Sequence, residues 1–157
     1  MTTHARVLQS RFLLTHLLVL TLALLLGAIV AHCMAAPTSP ALAPVSGKVT
    51  YEDGGPVPGA RIQIVFLPLV PEGQTSDRDR PSIADVDVET GEFKFTSTYE
   101  EKDGTTVGMH RVMVTVLGPD GELNGAVSRV FSNPKTSPLK IEIENRKNWI
   151  HFQLPRP

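Results

Sequence analysis

The sequence predicts an all-β fold: a seven-stranded antiparallel β-sandwich, preceded by an apolar N-terminal signal or anchor helix. Three observations lead there. Seven short segments alternate apolar and polar residues with a period of two, the spacing of a strand with one face buried. Gly-, Pro- and Asp-rich turns separate them. No helical periodicity follows the N-terminal segment, and runs of short strands without intervening helices favour a sandwich.

The first strand is Val45–Tyr51, with Val45, Gly47, Val49 and Tyr51 alternating against Ser46, Lys48 and Thr50. Asp53-Gly54-Gly55-Pro56 and Pro58-Gly59 then turn the chain, Gly supplying positive φ and Pro fixing its own. Ala60, Ile62, Ile64 and Phe66 set the buried phase of the second strand, which Pro68 ends by withholding a ladder donor. Residues 69–81 are polar and charged, a surface loop. Ala84, Val86 and Val88 mark a third strand, and Thr90-Gly91 a tight turn. Phe93 and Phe95, opposed by Lys94 and Thr96, complete a hairpin with it.

After a second loop, His110, Val112, Val114 and Val116 give the fifth strand, stopped by Gly118-Pro119-Asp120-Gly121. Residues 123–138 form the longest irregular stretch, a length that belongs to functional or poorly ordered loops. Leu139, Ile141 and Ile143 mark the sixth strand, and Ile150, Phe152 and Leu154 the seventh.

Ahead of this lies a targeting segment. Arg6 and Arg11 flank the apolar run Phe12 to Ala31, and Ala35-Ala36 precede a Pro-rich stretch, the pattern of an export signal. The run also approaches the roughly 20 residues that span a bilayer, so an uncleaved anchor is the rival reading. Both carry the remainder across the membrane, because the arginines stay cytoplasmic. The expected organisation is residues 1–36 as signal peptide or anchor, 37–44 as an extended tether, and 45–157 as the sandwich. Cys33, in Val30-Ala31-His32-Cys33, resembles a bacterial lipoprotein box with His32 in place of the usual small residue, and is the candidate lipidation site. The structural alternative is a cysteine within or just past a signal.

Loss of Arg6 and Arg11 makes the exported region more negative, by two charges, than the −1 of the whole chain. A mildly acidic, interspersed surface gives no footing for nucleic acid. With no cysteine after Cys33, no disulfide supports the domain, which rests on its hydrophobic core.

Val45-x-Gly47-x-Val49-x-Tyr51, Asp53-Gly54, Pro56-Val57-x-Gly59-Ala60, Phe66-x-Pro68, Thr90-Gly91-x-Phe93-x-Phe95 and Gly108-x-His110-x-Val112-x-Val114, in this order, resemble a carboxypeptidase regulatory-like domain. Such a domain is a transthyretin-like (prealbumin-like) seven-stranded sandwich. The targeting segment and the tail Phe131-x-Asn133-Pro134-x-Thr136-Ser137-x-Leu139 are similar to those of short bacterial envelope proteins without assigned activity. Two positions depart: His110 stands where Tyr is usual, and Pro138 where a small residue is common. The resemblance implies an accessory or stalk module, not a peptidase, and transfers no catalytic residue. The transthyretin-like hydrolase of 5-hydroxyisourate ends Tyr-Arg-Gly-Ser, whereas this chain ends Leu154-Pro155-Arg156-Pro157.

Candidate chemistry is sparse. A zinc centre needs at least three ligands, and only His110 and His151 follow the signal. His110 reads as a rim histidine packed on the core, and His151 as solvent-facing. Asp85 and Asp87, near Asp77 and Asp79, offer oxygens for calcium, but Arg78 and Arg80 favour a solvated edge. No Gly-x-Ser-x-Gly elbow occurs. No catalytic residue, cofactor or metal site is assigned. Trp149, in the last turn, is the candidate for ligand stacking, its alternative being a cap on the open end of the core. Val65 and Leu67, continuing into Leu69-Val70, form an apolar patch or lie beneath the following loop. The expectation is a non-enzymatic exported envelope protein with a structural or protein-interaction domain, or else a small carbohydrate-binding module. It would meet the membrane through its N-terminal segment or a lipid on Cys33, or be secreted, with an envelope protein or glycan as partner.

Overall fold

The computed structural model describes residues 41–70 and 80–157. Within them the protein is all-β: β1 (Leu42–Ala43), β2 (Val45–Tyr51), β3 (Arg61–Pro68), β4 (Ser82–Val86), β5 (Glu92–Phe93), β6 (Thr105–Thr106), β7 (Gly108–Leu117), β8 (Lys140–Ile143) and β9 (Asn148–Leu154). They form a three-stranded sheet ordered β5-β2-β9, a four-stranded sheet ordered β4-β3-β7-β8, and the small pair β1-β6. The inward residues of both larger sheets share one core, a sandwich-like arrangement. Val45, Val49, Phe93, Phe152 and Leu154 come from one sheet, and Ile62, Ile64, Phe66, Val112, Val114 and Ile143 from the other.

Phe66 joins the layers. Its ring lies 6.4 Å from Phe93, 6.2 Å from Phe152 and 6.5 Å edge-on from His110. Tilted and edge-to-face pairs at these separations add to the area they bury.

One expectation is corrected outright. The sandwich is not wholly antiparallel, because β2 and β9 pair in parallel from Val45↔Asn148 to Tyr51↔Leu154. The register explains the choice: Val45, Gly47, Val49 and Tyr51 stand beside Asn148, Ile150, Phe152 and Leu154, so the apolar phases of both strands coincide on one face.

The expected hairpin of residues 82–88 and 92–97 is also divided. β4 pairs with β3 and β5 with β2, and only the Ile83↔Ser97 bridge and the turn around Asp87 connect the two segments. Val88 lies beyond the strand, exposed. The segment changes phase as it leaves one sheet for the other. Phe93 is buried, Lys94 and Phe95 are both exposed, and Thr96 is buried. Phe95 therefore lies outside the core, with the Lys102 ammonium 4.9 Å from its ring centre.

Two short strands fall where loops are expected. Leu42–Ala43 pairs with Thr105–Thr106, and Ala43 is buried, so the folded body begins ahead of Val45. The long stretch 123–138 acts as a cover for β7. Beyond its pairing with β8, β7 continues to donate: Val112 N–H to the Leu139 carbonyl at 2.9 Å and Val114 N–H to that of Phe131 at 3.0 Å. Phe131 is buried, Asn133 Oδ1 accepts from Lys135 N–H at 2.8 Å, and the Ser137 hydroxyl donates to the Val112 carbonyl. An Asx turn and a buried hydroxyl thus hold this stretch along an edge that would otherwise be open.

Candidate functional site

The three-stranded sheet turns Trp149 outward. On β9 the side chains alternate, so Ile150, Phe152 and Leu154 enter the core while Trp149, His151 and Gln153 share the solvent face. Trp149 is 66% exposed, which excludes a role as a cap on the core. The parallel register sets Ser46 beside Trp149, Lys48 beside His151 and Thr50 beside Gln153, and Lys48 also faces Glu92 of β5. The His151 ring lies 6.0 Å from the indole, tilted by 58°, and its Nε2 is 2.9 Å from Thr50 Oγ1. His151 faces solvent, as its place in the alternation implies. The result is a shallow aromatic platform bordered by a hydroxyl, an ammonium and a carboxylate.

β9 is also an edge. Asn148 N–H donates to Pro44 and the Leu154 carbonyl accepts from Glu52, so residues 148, 150, 152 and 154 turn their backbone groups toward β2. Those of Trp149, His151 and Gln153 point the other way, and among the described residues no strand pairs with that side.

The other candidates separate. His110 is only 1% exposed. Its Nδ1–H donates to the Gly108 carbonyl at 2.9 Å, which leaves Nε2 to accept from Thr106 Oγ1 at 3.0 Å. Burial holds its pKa below the ordinary histidine value, against the opposing pull of the Gly108 carbonyl. The unfolded chain therefore binds a proton that the folded one resists. The stabilisation is complete above the unfolded value of about 6.5 and is lost as pH falls below it toward and through the lower folded value. Urea midpoints measured between pH 8 and pH 5 should fall for the wild type and fall less steeply for His110→Gln. Parallel slopes would show that His110 is not the buried neutral group.

Asp85 is bound by Arg61, whose Nε and Nη2 lie 3.1 and 2.9 Å from Oδ1, whereas Asp87 caps the next turn by accepting from the N–H groups of Glu89 and Thr90. The turn amides of Thr90 and Glu89 hold Asp87 below the usual carboxylate range. These two acids serve separate structural tasks, and among the described residues no three His, Cys, Asp or Glu side chains are grouped to hold a metal. Asp77, Asp79 and Cys33 lie outside the described residues.

Sequence reasoning missed two polar centres. Asp103 accepts from the backbone N–H groups of Thr98, Tyr99 and Glu100 at 2.7 to 2.9 Å. Burial pushes its carboxyl up, but these amides outweigh it and hold the group below its ordinary value. At the other end of the domain Arg156 lies 4.1 Å over the Tyr51 ring and donates from Nε to Asp53 at 2.7 Å, while Tyr51 Oη donates to the Ala126 carbonyl at 2.6 Å. The Asp-Gly pair of the turn was a legible signal for the second, since Asp53 Oδ1 also accepts from Gly55 N–H. A depression lined by Pro58, Gly59, Ala60, Gly118, Pro119, Asn124, Gly125 and Ala126 lies beside it, mostly backbone and small side chains.

Comparisons of the chain with family models, curated proteins and solved structures returned no match.

Proposed function

We propose that this chain is a non-enzymatic exported protein of the cell envelope, whose domain is a transthyretin-like sandwich of the carboxypeptidase regulatory-like kind serving structural or protein-interaction duties. The ordered motifs and the N-terminal targeting segment support the reading, with Cys33 as the lipid attachment point if its box is processed. The observation that carries the interaction role is β9, a seven-residue edge strand with no charged side chain, laddered on one side only among the described residues. Edges of that length are normally blunted by Lys, Pro or a covering segment, and an open one accepts a partner's strand.

The test is a photo-crosslinking residue placed at Gln153 in the native host. An adduct to an envelope protein is expected, and His151→Pro, which removes an outward donor, should abolish it. No adduct at Gln153, or one indifferent to His151→Pro, rejects strand addition at β9. A second reading, the small carbohydrate-binding module, rests on the exposed indole beside Ser46, with Lys48 beside the neighbouring His151 and Glu92 beyond it on β5. Sugars present apolar C–H faces to stack on such a ring and hydroxyls for its polar border. Trp149→Ala is then expected to lose glycan binding while keeping the wild-type urea midpoint. Unchanged glycan binding in that variant would exclude the platform.

A further inference from the structure

Five of the exposed apolar side chains lie at the end of the domain where the described chain begins. Val107 N–H donates to the Ala41 carbonyl at 2.9 Å, and Leu42 pairs with Thr106. Leu69 N–H donates to the Met109 carbonyl at 2.8 Å, and Asn148 N–H to that of Pro44 at 2.9 Å. Leu69, Val70, Val107, Met109 and Trp149 are therefore neighbours of the first described residues through a continuous set of backbone contacts. Their exposures are 39%, 37%, 39%, 44% and 66%.

The opposite end is acidic instead, with Glu52, Asp53, Asp87, Glu89, Asp120 and Glu122 exposed on its turns. At the leading end Arg146 pairs with Glu144 at 2.6 Å and Lys102 with Glu101 at 2.8 Å, as Arg156 pairs with Asp53 at 2.7 Å at the other. The leading end thus carries the larger group of exposed apolar side chains, and the other a run of exposed carboxylates on its turns.

We propose that the leading end, through Val107, Met109, Leu69, Val70 and Trp149, rests in the interface of the lipid bilayer that holds the N-terminal segment. The proposal rests on membrane attachment, the reading given under Proposed function, and adds to it the orientation of the domain. Chain length favours the bilayer as occupant. From Ala31, the end of the apolar run, to Ala41, where the described fold begins, about ten residues reach at most about 35 Å. A domain tethered that closely presents its leading end to the lipid first. Exposed aliphatic groups with a tryptophan suit the headgroup region, where an indole sits with one side apolar and one wet. The groups offered are apolar, so the contact is one of apolar burial and should form on a zwitterionic surface.

The full-length chain would be reconstituted in phosphatidylcholine vesicles containing phosphatidylcholine brominated at shallow acyl positions. Trp149, the single tryptophan, is the reporter. Its emission is expected to shift to the blue and be quenched. Val107→Asp with Met109→Asp, both at exposed positions, should restore the unquenched emission while flotation with vesicles persists. Leu69→Asp is the independent second variant, with circular dichroism confirming the fold of each.

A chain that floats with vesicles but leaves Trp149 unquenched overturns the docking and leaves attachment standing. A chain that fails to float overturns attachment and the docking with it. Quenching that survives all three substitutions places the contact elsewhere and rejects this surface. Emission that responds to soluble glycan fragments but not to brominated lipid rejects docking in favour of the sugar platform.

Discussion

Gly47→Ala is expected to cost at least about 3 kcal/mol, the upper end of what overpacking a core usually does. Gly47 sits in the middle of β2, between Phe93 of β5 and Ile150 of β9. A Cβ there would lie at clashing distance from the Ile150 carbonyl oxygen, 2.8 Å from its carbon, and 2.9 Å from Phe93 Cζ. A side-chain tip can rotate away, but a carbonyl in a seven-residue ladder cannot move alone. Relief requires β9 to separate from β2 or the Phe93 ring to leave its stack with Phe152, 6.4 Å away. Gly55→Ala is the internal control. Its Cβ would meet the Arg156 guanidinium, the end of a flexible exposed side chain, at 2.7 Å, so a loss within about 1 kcal/mol is expected. Urea titrations of the two variants decide the matter, and equal losses would mean that β2 and β9 do not lie in this register.

Alternation made most of the strands legible, because burial of one face imposes a period of two wherever a strand stays in one sheet. It located β2, β3, β7 and β9 nearly to their ends. It failed at Phe95, where the chain passes from one sheet to the other and two consecutive residues face solvent. A period can be read only while the frame that generates it persists. Which strands become neighbours was less legible still. The parallel β2-β9 pair joins the two ends of the domain, and the alternation of each strand is equally compatible with an antiparallel partner. β1 and β6 escaped notice because two residues cannot display a period.

The candidate site divides along the same line. The outward phase of Trp149 and His151 follows from Ile150 and Phe152 pointing inward, and that much the sequence contains. The cross-strand neighbours of Trp149 and His151, Ser46 and Lys48, lie about a hundred residues earlier and enter only through pairing. His110 shows the converse. Its apolar phase was plain, but its role as a neutral, doubly hydrogen-bonded core residue depends on Thr106 and the Gly108 carbonyl, which the β6–β7 connection brings beside it. Stretch 123–138 had the length of a functional loop, yet Phe131 is buried and the Ser137 hydroxyl holds it to β7, while Asn133 shapes its own turn through Lys135 N–H.

Phe66→Ala is expected to destabilise the domain by about 3–5 kcal/mol, a large part of the roughly 5–15 kcal/mol that holds a typical domain folded. Phe66 is fully buried on β3, a central strand of the four-stranded sheet, and its ring reaches Phe93 and Phe152 of the facing sheet as well as His110 of its own. Truncation leaves a void where the two layers meet, and neither sheet can close it without breaking ladders on both sides of the ring. Each aromatic pair lost adds to the area no longer buried. Phe95→Ala supplies the contrast, since the two phenylalanines have the same chemistry and both occupy positions the alternation marks as core. Phe95 is 43% exposed, and its removal should cost within about 0.5 kcal/mol. Urea midpoints with near-ultraviolet circular dichroism measure both. If Phe95→Ala proves as costly as Phe66→Ala, residues 92–97 keep a single phase and the passage between sheets is wrong. If only Phe66→Ala is costly, the core closes at Phe93, and the outer aromatic surface of the domain is available for contact with something other than the domain itself.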